Sequence, residues 1–415
     1  MAKPQLSWLY SFALFLTVSC QIIKAHIPDE SRLKSGVYLS PEFDMNPGSV
    51  VNRFYYNIDF PKGHIGIKSF YAEVVDEGGV PVTLKDTYLH HWLVVRYYAR
   101  VGFEDKVLNS DPRLHQGSDF MLAGNTGVCG NLMQYFGLGS ETRKTDTNVP
   151  DPYAIEVGNP AEIPKGYEER WVLNVHAIDT RGVVDRFGCT ECRRSLYNTT
   201  IDEYGRYIIP DYEGGMRCCH DNTQCKVKEG VEHSLRRLYM KYTVEWFDWN
   251  ESFLPVKIYI FDVTDTWKPS SKGHDCKIEY EVNPCDSSTV SSNGCIDTKR
   301  LSFKMPRGGY VVYGVAHQHA GGIGSTLYRK DGRTICSSTP TYGNGNEAGN
   351  EDGYIVGMST CYPEPGSIKI NDGETLVLES NYSSSQKHTG VMGLFYILVA
   401  EQLPMHKDIS TLQSL

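Results

Sequence analysis

The sequence predicts an all-β fold of two jelly-roll-like β-sandwich domains with a Cys-rich loop insertion, and three features predict it. Short aromatic and β-branched runs with period-two alternation recur along the chain, bounded by Gly, Pro, Asp or Asn. Long amphipathic helical patterns are missing. Composition agrees, since 12% aromatic residues, 27 Tyr and 39 Gly suit strands joined by many turns.

Met1, Ala2 and Lys3 precede an apolar stretch from Trp8 to Val18, and polarity returns at His26, Pro28 and Asp29. A basic start, a short apolar core and a polar exit read as a secretory signal peptide over 1–25, with cleavage after Cys20 or Ala25. A mature length of roughly 390 residues is more than one hydrophobic core usually serves, so two domains are expected. Val51 to Phe60, Thr87 to Tyr98, Arg170 to Ile178 and Leu238 to Trp246 read as strands of a first domain over 26–250. In the last of these, Leu238, Met240, Tyr242, Val244 and Trp246 alternate with polar positions such as Lys241 and Glu245, so one face is buried and one is wet.

Residues 180–232 carry five cysteines, turn formers and no long strand, which predicts a disulfide-stapled excursion of that domain, a lid or contact surface. The Asn250 to Pro255 segment interrupts two strands with turn formers and a proline and marks the boundary. Val256 to Val263, Cys276 to Val282, Gly309 to Ala316, Ile368 to Ser380 and Met392 to Ala400 continue the strand pattern in a second domain over 251–402, and 403–415 forms a C-terminal tail.

Cysteine usage points to an oxidising compartment. Of 12 Cys, 11 lie beyond the signal segment, in clusters read first as disulfides, and the odd number leaves at least one thiol free, intermolecular or metal-bound. Cys189-x-x-Cys192 and Cys218-Cys219-His220 imitate a zinc site, yet in a secreted chain disulfides are expected to win. Asn198, Asn250 and Asn381 each open an N-glycosylation tripeptide. No later stretch is apolar enough for a membrane span, and a net charge of −9 argues against nucleic acid as a partner.

Chemistry concentrates in the histidines. His317 and His319 are one residue apart on a strand, so both leave the same face and can meet one metal ion. His90 and His91 are adjacent, and a regular strand would send them to opposite faces; they meet one ion only at a bulge, a twist or a strand end. His176 shares its face with Asn174 and can join His90 and His91 on a neighbouring strand. Three imidazoles suit copper or zinc, whereas a histidine pair with the thioether of Met392 selects copper, because soft sulfur favours Cu(I). The plainer alternatives are a hydrogen-bonded structural histidine and a methionine packed in a core.

The order of these residues resembles that of the copper type II ascorbate-dependent monooxygenases of the peptidylglycine and dopamine type, which have two jelly-roll domains. Leu89-His90-His91-Trp92 is similar to the first histidine pair, and Val172-Leu173-Asn174-Val175-His176 to the strand giving that copper its third imidazole. Ala316-His317-Gln318-His319, followed by Gly321 and Gly322, resembles the second copper's pair, and Met392 its thioether. Tyr396 occupies the position of a substrate-pocket tyrosine, implying a catalytic role. Val315 stands where those enzymes place a carboxylate-binding arginine, Trp92 where they prefer methionine, and Leu394 where an asparagine is expected. A peptide ending in a free carboxylate is therefore disfavoured as substrate, since a buried carboxylate without a charged partner is costly.

From Ser35-Gly36-Val37-Tyr38 through the YLHHW segment to the Gly343 to Gly353 region, the chain also resembles the plant stress up-regulated nodulin family. Together the resemblances imply a protein secreted to the apoplast or cell wall that binds two copper ions. They further imply ascorbate as reductant, O2 as co-substrate, and hydroxylation of a C–H bond in an unknown small-molecule or peptide substrate. The rival expectation is a non-catalytic extracellular copper-binding or structural β-sandwich protein, because fold alone never establishes activity.

Overall fold

The computed structural model describes residues 33–404, apart from 106–107, 126–128, 130–131, 271 and 286–293; the expected signal segment and the end of the tail lie outside the described residues. The alternating runs form strands that mostly outlast their apolar pattern: Thr87–Arg100, Tyr167–Asp179, Arg236–Asp248, Gly309–Gln318 and His388–Ala400. Three runs are shorter than the pattern suggested, among them Cys276 to Val282, which is a strand only over Glu279–Val282. Val51 to Phe60 ends at Tyr56, because Asn57 adopts the left-handed region at φ 52°, and Ile368 to Ser380 splits into Lys369–Ile370 and Thr375–Ser383 around Gly373 at φ 69°.

A ten-stranded sheet runs through both halves of the chain. Its order is Lys34–Leu39, Arg236–Asp248, Ile65–Asp76, Tyr153–Val157, Leu254–Asp262, His388–Ala400, Gly309–Gln318 and Lys369–Ile370, with Phe43–Met45 and Glu279–Val282 attached at the side. The halves join where Leu254 and Pro255 pair in parallel with Tyr153 and Ala154. A five-stranded sheet of Val50–Tyr56, Tyr167–Asp179, Thr87–Arg100, Phe120–Leu122 and Tyr135–Leu138 covers the first half. Phe70 of the long sheet stacks on Trp92 of this one at 4.9 Å, and Phe60 on Trp171 at 4.1 Å, so aromatic rings fill the interior. A four-stranded sheet, Ile296–Lys304, Thr375–Ser383, Gly322–Arg329 and Thr334–Ser338, covers the second half, with Phe261 against Phe303 at 4.5 Å. The architecture is all-β and sandwich-built.

Five disulfides staple it. Cys189–Cys225 and Cys192–Cys219 close the excursion, Cys285–Cys295 and Cys336–Cys361 close loops of the second half, and Cys129–Cys276 ties the two halves together across 147 residues of sequence. Cys218 is the free cysteine among the described residues; burial pushes its thiol up to about 11, which keeps it protonated and unreactive. The excursion docks on the second half: both oxygens of the Glu279 carboxylate accept from the Met216 amide, and Glu191 bonds His388 Nδ1 at 2.6 Å. No helix among the described residues is long and apolar enough to cross a membrane. Disulfides in this number fit an extracellular protein.

Candidate metal centre

The first set of histidines lies on the outer face of the five-stranded sheet. His91 pairs with His176 across neighbouring strands, while Trp92 and Val175 take the opposite face toward the aromatic core. The register slips between Leu89 and His91, so His90 is the extra residue of a β-bulge. That bulge is what lets adjacent histidines converge: the His90 ring lies 4.4 Å and the His91 ring 4.9 Å from that of His176. Ligating atoms of these three residues all fall within 4.8 Å of one another.

The second set lies on the outer face of the long sheet. Gln318 points inward, donating to Ser380 and Asn381 of the four-stranded sheet, so its neighbours His317 and His319 point outward with ring centroids 5.2 Å apart. His317 pairs with Leu394 and Val315 with Tyr396, which places Met392, Leu394 and Tyr396 on that same face. Tyr382 fixes the alignment, since its hydroxyl accepts from the His319 amide at 2.8 Å and donates to the Met392 carbonyl at 2.6 Å.

These two outer faces meet. The His90 ring lies 4.6 Å from that of His319, and His91, His317, Met392 and Tyr396 line one cavity of about 100 Å³. All six residues singled out as metal ligands, with Tyr396, thus converge on a single region.

Hydrogen bonds determine which nitrogens are free. Asn174 donates through its amide to Asn52 and Arg53, so its oxygen faces His91 and must accept from Nε2 at 2.8 Å. His176 Nε2 donates to the Cys219 carbonyl at 2.8 Å, and His317 Nδ1 to Glu141 Oε1 at 2.5 Å. His319 bonds the Gly390 backbone while its Nε2 has no partner. Four buried ring nitrogens, His90 Nδ1, His176 Nδ1, His317 Nε2 and His319 Nε2, lack any partner among the described residues. Burial, reinforced by the neighbouring imidazoles, holds His90, His176 and His319 well below the usual histidine range, and burial draws His91 down to about 4. Neutral imidazoles with lone pairs directed inward are what a metal ion requires.

Several contributors escape sequence reasoning. Glu141 lies in a 3-10 turn, Ser140–Arg143, and belongs to no alternating pattern, yet it is fully buried against His317. The Cys192–Cys219 sulfurs lie within 4.8 Å of a His90 nitrogen, so the excursion backs the first histidine set; as a disulfide, that pair offers no thiolate. Met216 and Glu203 bring the excursion to the cavity wall, and Tyr135 meets the Tyr396 hydroxyl at 3.1 Å. His388 is buried and held by Glu191.

Among solved structures, the chain is similar to the infectious bursal disease virus VP2 subviral particle, at 11% identity and a TM-score of 0.18, covering 91% of this chain and 75% of that one. It is also similar to the T=1 particle of Penaeus vannamei nodavirus, at 11% identity and a TM-score of 0.17, covering 89% and 98%. Likeness at that level carries no argument about the site. No curated protein matches the sequence. The Stress up-regulated Nod 19 family matches residues 31–402, nearly the whole of the described chain. The chain therefore belongs to the Stress up-regulated Nod 19 family.

Proposed function

We propose that the protein is an extracellular copper-binding protein that oxidises a C–H bond of its substrate with O2 and ascorbate. The observation that carries this reading is the group of four buried imidazole nitrogens without partners among the described residues, three of them on rings whose other nitrogen is anchored. Leaving such atoms unpaired costs about 1–3 kcal/mol each, a cost that a metal ion removes. Copper suits the donors better than a hard cation does, because imidazole nitrogens stand beside the thioether of Met392. Bound copper supplies one-electron steps between its two oxidation states.

The protein's own residues do the positioning. Glu141 and Asn174 fix the tautomers of His317 and His91, and Tyr382 aligns His319 with Met392. Tyr396 is held neutral by burial and presents a hydroxyl on the cavity wall, shared with Tyr135, where it orients a polar group of the substrate. Val315 stands at the position of the carboxylate-gripping arginine, and the arginine on the cavity wall, Arg113, is already ion-paired with Asp111. In the overall reaction one substrate C–H, one O2 and one ascorbate yield an alcohol, water and dehydroascorbate.

A second reading, a copper-holding protein without turnover, is favoured by Met216 and Glu203, which bring the excursion onto the cavity wall. Metal analysis of the secreted protein, with ascorbate-driven O2 uptake, separates the two. Copper that is retained by wild type and reduced in His90→Ala and His317→Ala, together with O2 uptake, supports oxidation. Full copper without uptake selects the second reading, and absence of copper overturns both.

A further inference from the structure

Six donors divide into two sets of three. His90, His91 and His176 form a complete tripod on one face; from the other come His317 and His319, with rings 5.2 Å apart, and Met392, which lines the same cavity as His317. A metal–imidazole bond is about 2 Å long, so an ion sits about 3 Å from the centre of the ring that holds it. His90 and His319, at 4.6 Å between centroids, are close enough for one ion to touch both, and no layer of protein fits between them. His91 and His317 open onto the same cavity, so the sets share their solvent space as well.

We infer that the two copper ions form one continuous dinuclear centre, magnetically coupled, with the His90–His319 contact as its seam. This deepens the copper reading above and rests on it, but departs from the separate mononuclear sites that the monooxygenase resemblance implies. Three donors per ion is a sufficient set, so neither ion needs to take ligands from the other, and the contact between the rings leaves no protein between the two sets.

The test is a spin count on the full mature chain loaded with Cu(II). Copper per chain is measured by mass spectrometry, and unpaired spins by integrating the low-temperature electron paramagnetic resonance spectrum. Two ions per chain with a spin count below about half the copper, or with a half-field transition, is the expected result. His319→Ala, checked by circular dichroism for fold, is expected to hold one ion whose spin count equals its copper. Two ions with full spin intensity and no half-field transition overturn the inference and leave copper binding intact. A single ion per chain overturns it too, and absence of copper removes the parent reading with it. The wild-type measurement decides the matter even if the variant fails to fold.

Discussion

An imidazole buried with one nitrogen anchored and the other free is an expensive arrangement unless something fills the gap, and His176, His317 and His319 are all built this way. Glu141 illustrates how the anchor works. Its Oε1 accepts a hydrogen bond from His317 Nδ1–H, which leaves the lone pair on Nε2, while its Oε2 accepts from the Gly139 amide. Carboxylates in this position raise ligand basicity and fix ring orientation, and their loss typically lowers metal affinity 10–100-fold. Glu141→Gln is therefore expected to weaken copper binding by about that factor in a competition titration while leaving the melting temperature nearly unchanged. A melt that collapses with affinity intact would assign Glu141 to stability alone. His317 was visible in the sequence because its spacing from His319 sets a shared face, and Met392 through the order of residues that resembles the copper monooxygenases; Glu141 was not, because its partner lies 176 residues away.

At the scale of elements, the Glu279–Val282 strand fastens the excursion to the second half of the molecule. Glu279 is half-buried as a residue, but its carboxylate is enclosed by Tyr212, Gly215 and the Met216 amide, and burial pushes it up to about 8. A carboxyl raised in the folded state and ordinary in the unfolded chain binds an extra proton when folded. Stability from this group is thus full below about 4.5 and lost as pH rises through about 8. Glu279→Gln keeps an acceptor for Met216 and removes the titration, so its melting temperature is expected to match wild type at pH 5 and exceed it at pH 8.5. Equal losses for both proteins across that range would refute the assignment. The excursion itself was legible from five clustered cysteines, whereas its pairing was not, since the sequence leaves every connectivity open. The bulge at His90 was legible only as a condition, because whether a strand bulges depends on the register of its partner.

Over the whole molecule, the metal-free protein carries a cluster of histidines that resist protonation. His91 is drawn down to about 4 and His90, His176 and His319 well below the usual range, all chiefly by burial. The unfolded chain takes up these protons near pH 6.5 and the folded chain does not, so stability is present above about 6.5 and falls as pH drops toward 4. Each such histidine contributes up to about 1.4 kcal/mol per pH unit in that window. Melts of the metal-free protein are expected to show a lower transition at pH 5 than at pH 7.5, with a smaller difference in a His90→Ala, His91→Ala double variant. A pH-independent melt would contradict the burial of the cluster.

Period-two alternation, cysteine number and strand spacing are local properties of the chain, so the β architecture, the disulfide chemistry and the His317–His319 pair could be read from the residues alone. Tertiary structure decided everything that depends on two faces meeting. The parallel join at Tyr153–Ala154 and Leu254–Pro255 makes one sheet of both halves, and Cys129–Cys276 ties the halves together. The outer faces, one bearing His91 and His176 and the other His317 and Met392, then come into contact. No local pattern encodes the 4.6 Å between His90 and His319, since that distance is set by how two sandwiches pack and not by the residues on either side of each histidine.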